Sequence, residues 1–390
     1  MPFYHSLGEI PKKRHVQFRG PGGGLYYEEL FGNEGFSGLS SLLYHAQRPV
    51  QARSSEILRQ LDWAASDDRT LKHRHFRTSR IGAGGDAVGG RSPLLYNSDI
   101  AISIVLPTET AGRLYRNGQA DEVVYVSDGT GTLESVFGRL PYRRGDYVVI
   151  PRGTIHRWAP DATPHRLLVI ESRGVIRTPT RYRNRHGQLL EQSPYCERDI
   201  RRPEWLEPRD EKGAFEVIVK QGNALHRFVY ASHPFDVVGW DGYLYPWALN
   251  IEDFEPITGR IHQPPPVHQT FEGDGFVVCS FVPRLYDYHP GSIPAPYHHT
   301  NIGTDEVIYY ARDRFMSRKG IEYGSISLHP DGVPHGPHPG TIEASIGAKE
   351  TDELAVMIDT FRPLTVSREA AAIEDPGYFE SWLESGDSPA

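Results

Sequence analysis

Cysteine is almost absent: Cys196 and Cys279 are the only two in 390 residues, and they stand far apart. Neither a disulfide scaffold nor a thiolate metal site is expected from such a pair. No apolar run approaches the roughly 18 residues of a spanning helix, so no membrane partner is expected. The first residues, Met1 to Arg14, lack the apolar core of a secretory signal, and a cytoplasmic location follows as the expectation. Charge of one sign is not concentrated either. The formal net charge is −8 with acids and bases interspersed, which argues against nucleic acid as a partner.

What the chain has instead is 39 Gly, 31 Pro, 21 Tyr and 18 His. Turn formers between short β-branched and aromatic runs point to an all-β protein rich in hairpins. Asp99 to Leu106 alternates and stops at Pro107, and Glu122 to Ser127 runs into the hairpin turn Asp128-Gly-Thr-Gly. Asp146 to Ile150 ends at Pro151, and Arg166 to Glu171 closes the series. Strands at this spacing predict a small barrel or jelly roll.

The expected organisation has five parts: an N-terminal arm at 1–60, a first barrel at 61–175, a connecting segment at 176–215, a second barrel at 216–366 and a tail at 367–390. Within the arm, Ser54 to Leu61 reads as the start of a short helix, because Ser precedes apolar residues at three- and four-residue spacing. The tail reads as short helical turns ending in a disordered Ser385-Gly-Asp-Ser-Pro-Ala390.

Self-similarity divides the chain. Tyr115-Arg-Asn-Gly-Gln-Ala-Asp-Glu122-Val-Val-Tyr recurs as His299-Thr-Asn-Ile-Gly-Thr-Asp-Glu306-Val-Ile-Tyr, with Asn, Asp, Glu, Val and Tyr in register. Downstream, Gly145-x5-Pro151-x-Gly153-x2-His156 recurs as Gly324-x5-Pro330-x-Gly332-x2-His335. Gly and Pro return where strands must turn, and each His follows a tight Pro-x-Gly turn. The first half keeps only Glu122 and His156, too few ligands for a firm metal site. The second half has His299, Glu306 and His335. Strand alternation puts 299 and 301 on one face and His298 on the other. Two imidazoles and a carboxylate suit a ferrous ion with open positions, although mixed His/Glu sets also suit zinc.

These repeats resemble the two motifs of the cupin superfamily, and the resemblance implies a bicupin of two jelly-roll barrels, the first degenerate. Over residues 25 to about 340 the chain also resembles the homogentisate 1,2-dioxygenase family. The residues that carry this are Leu25-Tyr-Tyr-Glu-Glu-Leu, His233-Pro-Phe-Asp-Val-Val-Gly-Trp-Asp-Gly, Ser327-Leu-His329 and Pro334-His-Gly-Pro337.

The resemblance implies an Fe(II)-dependent, ring-cleaving dioxygenase of tyrosine catabolism, with an aromatic small molecule and dioxygen as partners, a maleylacetoacetate-like product and a trimer-based homo-oligomer. It implies His299, Glu306 and His335 as metal ligands and His329 as a second active-site histidine that bonds a substrate oxygen. His268 becomes the acid/base, with His262 and His289 as alternatives. Tyr297, Asn301 and Phe315 become substrate contacts. At Phe315 the family carries a tyrosine, and Tyr297, Tyr309, Tyr310 or Tyr323 could replace its hydroxyl. The loss keeps gentisate, hydroquinone or a substituted homogentisate open as substrates. A non-catalytic metal-binding bicupin is the reading from another class. Arg318 and Lys319 read first as a solvated pair and second as an anchor for a substrate carboxylate.

Overall fold

The computed structural model describes residues 3–110, 112–162 and 164–383; the expected disorder of 385–390 lies outside them. Strands dominate, as the turn-rich composition requires, and helices are confined to short segments such as Thr341–Ser345, Arg368–Ala372 and the 3-10 turn Tyr378–Trp382. No helix among the described residues is long and apolar enough to cross a membrane.

The expectation of two jelly-roll barrels is corrected. The strands form separate sheets of eight, seven, six, four and two strands, and each runs between two different edge strands without closing on itself. The physical reason lies in the pairing. Edges are completed by strands drawn from distant parts of the chain, so neither half bonds back to its own first strand. Arg74–Phe76 pairs with Ile326–His329 to end the six-stranded sheet. Thr365–Val366 pairs with Ser92–Tyr96 to end the eight-stranded one. In the seven-stranded sheet Lys212–Gln221 lies parallel to Tyr115–Asn117.

Residues 54–60 are likewise strand rather than helix. Ala52–Gln60 pairs antiparallel with Ala224–Ser232. Its side chains are exposed on both faces, so no alternation marks it as a strand, and only the long-range ladder fixes its conformation. Of the expected arm, His5–Gly8, Tyr27–Gly32 and Ser40–His45 share the four-stranded sheet with Val237–Gly242.

The eight- and six-stranded sheets pack against each other through buried aromatic residues. Tyr147 lies edge-on to Phe271 with centroids 5.2 Å apart, and Tyr125 lies 6.0 Å from Tyr309. A buried phenol needs a partner for its hydroxyl. Tyr147 Oη pairs with Ser280 Oγ at 2.8 Å, and Tyr309 donates to Ser127 Oγ at 2.6 Å. Each bond joins the two halves of the sequence, so the core is common to both.

Candidate metal centre

Glu306 sits in the Asp305–Tyr310 strand, inside the six-stranded sheet. It faces His329 on one neighbouring strand and Asp359 on the other. His299 and His335 lie outside the regular ladder but form a two-way backbone bridge, His299 N–H to His335 O at 2.8 Å and His335 N–H to His299 O at 2.9 Å. The turn before His335 depends on Gly332, whose φ of +75° suits glycine; its N–H is fixed by Asn301 O at 2.8 Å. Local turn chemistry thus brings both imidazoles to the carboxylate.

The two ring orientations are set from behind. His335 Nδ1 lies 3.1 Å from Val333 O and His299 Nδ1 lies 3.3 Å from Tyr297 O. Each Nδ1 therefore carries the proton, and each Nε2 lone pair faces Glu306. His299 Nε2 is 3.6 Å from Glu306 Oε2 and His335 Nε2 is 3.4 Å from Oε1. Burial alone would raise the Glu306 pKa, but the hydrogen bond from His329 and the imidazoles of His299 and His335 facing the carboxylate outweigh it and hold the carboxyl well below its usual range. The Glu306 partnership in turn raises His299.

The donor set fits a divalent ion. One donor atom each from His299, Glu306 and His335 lies within 4.8 Å of the others. Ligands about 2.1 Å from a common ion stand about 3 Å apart around it, so small rotations suffice. His335 Nε2 is shielded from solvent and has no hydrogen-bond partner among the described residues, and the same holds for Asp359 Oδ1. Burial and the adjacent Glu306 charge push Asp359 up to about 8, as expected of two carboxyls side by side. A cation would relieve both.

The cluster opens on a cavity of about 850 Å³. His299, Glu306, Asp359, Tyr297, Asn301, Phe315 and His268 all line it, as do the two alternatives His262 and His289. His268 is buried against Phe281, and burial lowers its pKa to about 3. His262 is exposed and faces Asp287 at 3.3 Å, and His289 Nδ1 accepts from Gly291 N–H. Phe315 packs edge-on to Phe281 and Tyr310. Of the four tyrosines that could supply the missing hydroxyl, Tyr297 alone is in the lining; Tyr309 and Tyr323 bond Ser127, and Tyr310 bonds Ser327.

Two placements differ from expectation. His329 is fully buried and is not part of the lining. Its Nδ1 donates to Glu306 Oε1 at 2.7 Å, and its Nε2 lies 3.3 Å from the hydroxyl of Tyr378. Arg318 is not half of a solvated pair. It is buried in the cavity wall, donates to Gly336 O at 2.6 Å and makes no ion pair among the described residues, whereas Lys319 stays exposed.

The first half repeats the geometry with a different occupant. Tyr115 pairs with His156 as His299 does with His335, and Glu122 faces Glu171 as Glu306 faces Asp359. Here a guanidinium fills the centre. Arg91 grips both oxygens of Glu122, at 2.8 and 2.9 Å, and reaches Glu171 at 3.1 Å. Lys220 covers the other oxygen of Glu171. A fixed side-chain cation has taken the place open to an ion in the second half.

Sequence reasoning missed Arg91, Tyr378 and Asp359. Only Asp359 had a signal: Leu168-Val-Ile-Glu-Ser172 recurs as Val356-Met-Ile-Asp-Thr360, a third matching stretch. A cavity of about 880 Å³ elsewhere, with Arg116, Arg152 and Arg173 in its wall, contains none of these metal-ligating residues.

Comparison with known proteins bears on this geometry. A family model described as "Cupin domain" matches residues 101–171. A protein of Saccharolobus solfataricus named "Putative dioxygenase SSO1533" is 43% identical over 99% of this chain and 100% of its own. Homogentisate 1,2-dioxygenase of Nitrobacter hamburgensis is 30% identical, over 67% of this chain and 61% of its own. Among solved structures, protein Ylba from E. coli aligns over 75% of this chain and 94% of its own at 10% identity and a TM-score of 0.35.

Proposed function

This chain belongs to the family of the Saccharolobus solfataricus "Putative dioxygenase SSO1533", and from that premise we propose that it is an Fe(II)-dependent dioxygenase cleaving the ring of homogentisate or a closely related para-diphenol. The observation that carries the reading is the His299–Glu306–His335 cluster at the wall of a cavity bounded by Phe281, Phe315 and Met357. Two imidazoles and one carboxylate leave positions for two further ligands, and the apolar wall suits an aromatic ring.

When bound, ferrous iron would lower the pKa of a coordinated phenol and bring ring and dioxygen side by side. The chain's own residues do the rest. Phe315 and Phe281 confine the ring. The buried Arg318 guanidinium, without a carboxylate partner among the described residues, meets the acidic side chain of the substrate. His268 lines the cavity with its Nδ1 unpaired among the described residues, and it is the group placed to accept a phenolic proton. Asn301 and Tyr297 complete the mouth. The product is the open-chain, maleylacetoacetate-like acid.

Phe315 favours a second reading, in which the same iron chemistry serves gentisate, hydroquinone or a substituted homogentisate. Anaerobic loading with Fe(II), then an oxygen-electrode trace with each diphenol, tests both. Uptake with homogentisate and a new conjugated-product absorbance supports the first reading; uptake only with another diphenol supports the second. No uptake with any of them overturns the proposal.

A further inference from the structure

We propose that Asp359 is a further protein group serving this centre: its carboxylate accepts a hydrogen bond from the hydroxyl-bearing ligand, water or ring hydroxyl, on the cavity side of the ion. The inference rests on the metal reading above and deepens it.

Three observations converge on this residue. Asp359 stands directly opposite Glu306 across the ladder. It lines the cavity, and its Oδ1 is closed off from solvent with no donor among the described residues. It is also the counterpart of Glu171 in the first half, where the paired acid is not idle. There Arg91 Nη1 bridges Glu122 and Glu171, so the row has been built twice to present two acids to one charged centre. In the second half the donor atoms gathered within 4.8 Å come from His299, Glu306 and His335 and not from Asp359. The residue therefore stands one bond further out, where it orients what the ion holds. An acceptor desolvated beside a cavity discriminates strongly between a ligand that brings a donor and one that does not.

The test uses full-length protein loaded with Co(II), whose visible bands report the geometry at the ion, and homogentisate added without oxygen. Asp359→Ala should keep one Co(II) per chain but shift the substrate-free bands and weaken homogentisate binding at least tenfold. Asp359→Asn, which keeps an acceptor oxygen, should restore most of both. Unchanged bands and unchanged binding in Asp359→Ala would overturn the assignment, as would loss of Co(II) in both variants. If native protein holds Co(II) but binds no diphenol, the substrate reading fails. In that case the band shift and its rescue by Asn still support Asp359, and their absence still overturns it.

Discussion

His329 donates from Nδ1 to Glu306 Oε1 at 2.7 Å, between two residues that face each other directly on adjacent strands. The bond ties one carboxylate oxygen to an imidazole that is fully buried, and burial pushes that imidazole down to about 3. It remains a neutral donor at any ordinary pH. Groups that orient a metal ligand in this way typically govern 10–100-fold in metal affinity. His329→Ala should lower Fe(II) affinity by about that factor, measured by chelator competition. Unaltered affinity would show that Glu306 is held without it.

Arg318 separates substrates by their charge. A hydrogen bond to a charged group contributes about 1.5–3 kcal/mol, or roughly 10–150-fold. Arg318→Met should raise the KM for homogentisate within that range while leaving hydroquinone, which has no carboxylate, nearly unaffected. Steady-state oxygen uptake with the two compounds reads the difference.

Phe315 is the second probe of specificity. A neutral hydrogen bond is worth about 1 kcal/mol, so Phe315→Tyr should improve kcat/KM for homogentisate by about fivefold if a ring oxygen is within reach. A fall for homogentisate and for gentisate alike would mean that the cavity needs the apolar edge.

The first-half cluster should matter to stability and not to metal. Glu122 is buried and bonded by Arg91, Asn117 and Tyr115. Breaking a buried pair by removing one partner costs about 3–5 kcal/mol. Glu122→Gln should destabilise by up to that amount in denaturant unfolding, with ion content still one per chain.

His45 gives a pH dependence remote from the centre. Burial opposes its charge, but hydrogen bonds to Asp236 at 2.7 Å and Glu29 at 2.9 Å carry it up to about 9. An unfolded histidine titrates near 6.5. The raised folded value means that the contribution is complete below about pH 6.5 and is lost as pH rises through about 9, for a total on the order of 3 kcal/mol. Unfolding free energies at pH 6.5 and 9 should show the decline, and His45→Gln should flatten it.

The readable part of this protein was the local part. His299, Glu306 and His335 could be placed from sequence because strand alternation and a Pro-x-Gly turn act within a few residues. Asp359 was within reach through Val356-Met-Ile-Asp-Thr360. Arg91 and Tyr378 were not, since each acts through partners far along the chain. Sheet closure failed for the same reason: repeated motifs announce duplicated strands, but which strand completes an edge is decided by pairing such as Arg74–Phe76 with Ile326–His329. Arg318 was misread because one charged residue beside another gives no sign of burial.

That edge pairing bears on how the centre comes into being. Arg74 is tied to Glu374, 300 positions later, by a 2.6 Å contact, and Tyr378 backs His329 only a few residues beyond. During synthesis Glu306 leaves the ribosome before the groups that orient it, so a competent ion-holding geometry awaits nearly the whole polypeptide. A fragment cut to 216–366 would carry all three ligands and still lack the rigidity that makes them a site.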